Sequence, residues 1–168
     1  AYGQAAALAE PGAELMNNLG VLRRHQGLHE DAEAAYRRAI LIDPEFIDAY
    51  NNLGHLLSAR GDHEAALKVY CQALAIQPAN PASRRIAGLA MSVLGRLEQA
   101  AEIYRQWAVD EPGNPLPHHY LAACTGQDVP RRASDAYVEA TFNTFADSFD
   151  AKLEMLTYRA PQLVADAV

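Results

Sequence analysis

A chain of 168 residues is long enough for one compact domain, or for a short repeat array, with a real core. Half of its residues are hydrophobic and only 21% are charged, which argues against disorder, while a formal net charge of −7 disfavours a general binder of nucleic-acid backbones. No apolar run approaches the roughly 18 residues of a membrane-spanning helix, so none is expected.

One step organises most of the chain. Gly20, Gly54 and Gly88 recur every 34 residues, and so do Ala32, Ala66 and Ala100; Tyr36, Tyr70 and Tyr104; and Pro44, Pro78 and Pro112. Gly27, Gly61 and Gly95 keep the same step, as do Glu30, Glu64 and Glu98. At the N-terminus, Tyr2 and Ala5 stand one step ahead of Tyr36 and Ala39, so residues 1–12 read as the end of a preceding helix or a cap. That stretch lacks the basic and apolar regions of a secretory signal. The two cysteines, Cys71 and Cys124, are too few and too far apart for a zinc knuckle or a disulfide framework, and a reduced, cytoplasmic protein is the expectation.

Three repeats follow, at 13–46, 47–80 and 81–114, each predicted to be a helical hairpin of a helix A and a helix B. Small residues such as Gly54 and Ala66 would let the paired helices approach, and Gly61 would end helix A in a left-handed conformation. Each closing proline cannot extend helix B and turns the chain into the next repeat. The third repeat is irregular: Arg84, Ala87 and Trp107 stand where the second has Tyr50, Leu53 and Ala73, and the bulk of Trp107 predicts a changed neighbour. Residues 115–130 supply a degenerate fourth helix A, with Leu121 and Ala122 in the Leu-Gly slots, and then a linker.

The openings "MNNLG", "YNNLG" and "RRIAG", with the closings "IDP", "IQP" and "DEP", resemble the tetratricopeptide repeat (TPR). That resemblance implies an all-α solenoid, a right-handed superhelix of antiparallel helix pairs, finished by C-terminal capping or linker helices. The A helices of such an array line a concave face used for extended peptides. By repeat position the face should carry Asn17, Asn18 and Arg24, then Asn51, Asn52 and His55, then Arg85. Side-chain amides suit a peptide backbone because each offers both a donor and an acceptor.

The "NNLG" pairs resemble the asparagine ladder of O-linked GlcNAc transferases, which implies Asn18 and Asn52 as main-chain grips, with the ladder broken at Ile86. The same tetrapeptide is common in soluble TPRs, so a plain structural role stays open. Arg24, Asn52 and Arg85 imitate only loosely the carboxylate clamp of chaperone-binding TPRs.

Nothing in the chain carries chemistry by itself. His118 and His119 are adjacent and so point about 100° apart on a helix, and no other histidines form an i, i+4 pair within one helix backed by a carboxylate. No serine sits in a nucleophile elbow, and no Gly-rich phosphate loop is present. No catalytic residue and no metal site are expected.

Residues 131–168 break the step. Ser134 or Asp135 can cap a helix, and Val138, Phe142, Phe145, Phe149, Leu153 and Leu156 make one apolar helical stripe. The simple expectation is a helix that lays this stripe over the last repeat. The strip also resembles a family of bacterial TPR-containing methyltransferases. The likeness rests on Ala133, Ser134, Asp135, Tyr137, Val138, Phe142, Phe145, Ala146, Phe149, Asp150, Leu153, Tyr158, Arg159, Ala160, Pro161 and Leu163. Asn143 stands where that family has Asp. In it the strip precedes a class I S-adenosylmethionine (SAM) methyltransferase core, which implies that Phe145, Phe149 and Asp150 would lie near SAM in a longer parent. No glycine follows Gly126, so the Gly-rich turn of such a core would lie beyond residue 168.

These readings converge on a protein–protein interaction module, the docking arm of a SAM-dependent methyltransferase. The alternatives are a stand-alone TPR adaptor and the TPR arm of a GlcNAc-transferase-like enzyme. The expected partner is a protein or peptide in the groove, not nucleic acid or membrane. Self-association through the C-terminal apolar helix is a further expectation.

Overall fold

The computed structural model describes residues 12–127 and 134–143. Helices α1 (Ala13–His25), α2 (His29–Ile42), α3 (Ile47–Ala59), α4 (His63–Ile76), α5 (Pro81–Val93), α6 (Leu97–Asp110) and α7 (Pro115–Thr125) follow one another, and residues 135–143 are helical too. There is no strand among the described residues. Each helix packs mainly on the next in sequence, and α1 also reaches α3. This is the all-helical solenoid that the 34-residue step predicts.

Turn chemistry sets the hairpins. Gly27 follows α1 with φ +77°, its N–H bonding the Arg24 carbonyl at 3.0 Å while Leu28 N–H bonds the Arg23 carbonyl at 2.9 Å. That pair of bonds closes the C-terminal carbonyls of α1, and the left-handed φ makes glycine the natural residue there. Gly61 and Gly95 repeat the geometry in the next two hairpins. The entries to α5 and α7 are capped: Asn80 Oδ1 accepts from Ser83 N–H at 3.0 Å ahead of Pro81, and Asn114 Oδ1 from Leu116 N–H at 2.9 Å ahead of Pro115. Proline in a first turn gives up an N–H that would be unpaired anyway.

Inside each hairpin the glycine of helix A makes room for an aromatic ring. A Cβ on Gly54 would fall 2.2 Å from Tyr70 Cε1, and one on Gly88 would fall 2.3 Å from Tyr104 Cζ. The close approach is therefore between a helix backbone and a tyrosine face, with Ala66 and Ala100 buried beside it. A main core gathers Tyr36, Tyr50, Leu53, Leu56, Tyr70 and Ile86. A second core gathers Tyr104 and Trp107 with Met91, Leu116, Tyr120 and Leu121. The changed neighbour of Trp107 is thus α7, which brings Leu116 and Leu121 onto the indole.

Arg84 takes over the job of Tyr50. Tyr50 Oη donates to the Pro44 carbonyl at 3.0 Å, and Arg84 Nε donates to the Pro78 carbonyl at 2.6 Å, the same distance back along the chain. The other end of the guanidinium pairs with Asp110 at the end of α6. Burying a charge is tolerable when it is both paired and hydrogen-bonded.

The last described helix corrects one expectation. Ser134 does cap it, accepting from Tyr137 N–H at 3.1 Å. Its apolar stripe, however, does not start against the array: Val138 is 40% exposed and Phe142 67%. Tyr137 makes the contact instead, stacked on His119 with ring centroids 3.8 Å apart. Phe145, Phe149, Leu153 and Leu156 lie outside the described residues.

Candidate peptide-binding groove

The concave face is built by the A helices α1, α3, α5 and α7, and their side chains meet in a fixed register. Asn52 Nδ2 on α3 donates to Asn17 Oδ1 on α1 at 2.9 Å, a bond spanning 35 residues. Two repeats later the same offset brings Arg85 on α5 near Tyr120 on α7, where the guanidinium favours the ionised phenol and partly offsets the rise that burial gives its pKa. The intermediate pair would be Asn51 and Ile86. Ile86 offers no polar group, and Asn51 Oδ1 is left buried without a partner. The break in the ladder at Ile86 therefore has a visible cost, since a buried unsatisfied acceptor is worth about 1–3 kcal/mol.

The candidate residues fall into different environments. Asn17 is buried and Asn52 half-buried, so this amide pair is mainly a brace between α1 and α3. Asn18 is exposed, and it is Asn17, not Asn18, that lines up with Asn52. Asn51 is half-buried with its lone acceptor facing no partner. Arg24, in the last turn of α1, is half-buried, and its Nε is buried without a hydrogen bond. His55 is exposed, and Arg85 half-buried.

Two guanidinium groups lie near one imidazole. His55 Nδ1 lies 3.1 Å from Tyr70 Oη, with the rings edge to face. Burial of that end of the ring, then Arg24, then Arg85, hold the His55 pKa below its ordinary 6.5. Burial pushes the Tyr70 hydroxyl up to about 12, so it keeps its proton and shares a hydrogen bond with the imidazole, as donor or acceptor according to the His55 tautomer. Among the described residues, neither Arg24 nor Arg85 has a carboxylate partner, whereas Arg37, Arg60, Arg84, Arg96 and Arg105 all do.

Some participants escape a reading of the sequence. Tyr70 and Tyr120 look like core residues by pattern, yet Tyr70 meets the His55 ring and Tyr120 lies near Arg85. For Tyr120 the signal would have been an offset of 35 between successive A helices rather than the 34 of the repeat, and for Tyr70 the 15 residues back to His55 within one hairpin. Phe145, Phe149 and Asp150 lie outside the described residues. No cluster of three or more metal-ligating side chains and no helix long and apolar enough to cross a membrane occur among the described residues.

Comparison with known proteins adds the following. Two family profiles described as tetratricopeptide repeat match, one over residues 13–79 and one over 51–115. No curated protein matches. Among solved structures, the chain is similar to the first TPR of Spaghetti (RPAP3) bound to HSP90 peptide SRMEEVD, at 20% identity and a TM-score of 0.58, over 68% of this chain and 93% of that one. A tetratricopeptide repeat protein from Parabacteroides merdae is similar at 24% identity and 0.59, over 68% of this chain but only 46% of that one. MamA is similar at 20% identity and 0.59, over 81% and 80%. At these identities the likeness speaks to fold.

Proposed function

Because the chain carries tetratricopeptide repeats across residues 13–115, we propose that it is a protein–protein interaction module whose concave groove receives an extended peptide, and that it serves as the docking arm of a SAM-dependent methyltransferase. The observation that carries the docking half is the unpaired polar chemistry of the groove. Asn51 and Arg24 are half-buried, each with one polar atom that has no partner, and their remaining polar atoms can meet a ligand's main-chain N–H, carbonyl or carboxylate oxygen. The similar fold of Spaghetti (RPAP3), which holds the peptide SRMEEVD, supports the same use of this one.

The methyltransferase half rests on the strip from Ala133 to Leu163 and its likeness to TPR-containing methyltransferases. The cofactor would be bound by the parent's catalytic core, with Phe145, Phe149 and Asp150 near it; no described residue is assigned to SAM. The exposed Phe142 supports a second role for that strip, self-association when no further domain covers it. A GlcNAc-transferase-like parent has less support, because the Asn52 amide is already engaged by Asn17.

Two experiments test the halves separately. A peptide array read by fluorescence anisotropy should yield groove ligands whose binding Asn51→Ala weakens without lowering Tm. If no peptide of any class binds, the docking reading falls. Reading the encoding gene past the Val168 codon should reveal an apolar strand followed by a Gly-rich turn. A stop codon there would leave an adaptor.

A further inference from the structure

We infer that the groove's ligand is an acidic peptide segment, its carboxylates laid along a diagonal from Arg24 through His55 to Arg85. This rests on the docking reading above and names the partner's chemistry.

The diagonal is geometric before it is electrostatic. Arg24 lies in the last turn of α1, His55 near the middle of α3, and Arg85 in the first half of α5. A line through them crosses three adjacent A helices obliquely. With helix axes about 8–10 Å apart, the line accommodates about five or six residues of extended chain. It passes beside the Asn17–Asn52 brace, whose one bond uses a donor of Asn52 and the acceptor of Asn17.

Charge selects the occupant. The whole chain is acidic, at a formal −7, and five of its described arginines are matched to carboxylates on its own surface. Arg24 and Arg85, like Arg23, have no carboxylate partner among the described residues, and the first two lie near one histidine. Arg85 lies beside the Tyr120 side chain and the His55 ring beside Tyr70, and these neutral hydroxyls leave the Arg85 charge uncompensated. Holding like charges together without a counter-ion is unfavourable, and an arriving carboxylate relieves it. A basic or phosphate-free neutral peptide would gain nothing there.

The test uses the full chain and three fluorescein-labelled probes: hepta-glutamate, hepta-lysine and an uncharged Gly/Ser heptapeptide. Hepta-glutamate is made with both a free and an amidated C-terminus, and a seven-nucleotide single-stranded DNA serves as a non-peptide anion. Hepta-glutamate should bind most tightly and weaken on the order of tenfold in Arg24→Gln/Arg85→Gln, with unchanged Tm. Equal binding of the amidated form assigns the site to side-chain carboxylates, and a loss on amidation assigns it to the terminal one. Tighter binding of the uncharged peptide or hepta-lysine, with NMR shifts at Asn52 and His55, would overturn the acidic ligand and keep the docking groove. Tighter binding of the DNA would overturn the peptide. Binding of hepta-glutamate unaffected by the double variant would overturn the diagonal.

Discussion

The middle of the array and its C-terminal end solve the same packing problem in different ways. In the hairpin of α3 and α4, a glycine takes a tyrosine ring against the helix backbone, and a buried Ala73 faces the next repeat. At the end, Trp107 replaces that alanine, Ala122 replaces the glycine, and Tyr104, Tyr120, His119 and Tyr137 form a run of stacked and edge-on rings. The first solution depends on a gap matched to one ring and is repeatable. The second depends on large surfaces, with Tyr137 rather than Val138 making the contact.

If that contrast is right, the largest loss should come from the end's bulk. Trp107→Ala should cost about 3–5 kcal/mol in urea titrations, with amide exchange accelerating first in α6 and α7. Leu53→Ala, in the main core, should cost about 2–5 kcal/mol. The glycine slots give the sharper discrimination. Gly54→Ala should cost about 1–3 kcal/mol because its Cβ meets the Tyr70 ring, whereas Ala122→Gly in the fourth slot should cost only about 1 kcal/mol of helix propensity. Equal losses at the two would break the comparison.

Smaller effects follow the charges. Arg84→Ala should cost about 2 kcal/mol by thermal melting, from its lost bonds to the Pro78 carbonyl and Asp110. Gln106 and then Arg84 hold the Asp110 carboxyl below its ordinary 3.8. Its contribution is therefore present above that pH and fades as pH falls through the lower folded value, so wild type and Asp110→Asn should converge in strong acid. The smallest effect is at His55, whose folded pKa lies below 6.5. The free chain should lose a little stability as pH drops through that lowered value, and Arg24→Gln/Arg85→Gln should lose less. Melting curves at pH 7.5 and 5.5 compare the two.

Much of this architecture is legible in the sequence because its determinants recur at one spacing. Gly20, Gly54 and Gly88 with Tyr36, Tyr70 and Tyr104 announce the hairpin, and Gly27, Gly61 and Gly95 announce its turn. The groove is less legible. Asn17 with Asn52, and Arg85 with Tyr120, belong to different repeats and meet only when the array stacks, so no single repeat contains the pattern. Arg84 is visible as an anomaly, but its equivalence to Tyr50 is a matter of hydrogen-bond reach, which residue type hides. The stacking of Tyr137 on His119 joins residues 18 positions apart, a spacing that no repeat contains.

The glycine–tyrosine fits have a mechanical consequence. Each closes within a single hairpin, joining residues 16 positions apart, whereas the main core and bridges such as Arg60 to Glu33 and Arg96 to Glu64 join neighbouring hairpins. A load along the superhelix would meet apolar packing at those seams as well as surface ion pairs. Because Arg24, His55 and Arg85 sit on three different hairpins, their spacing would change only as the seams shift.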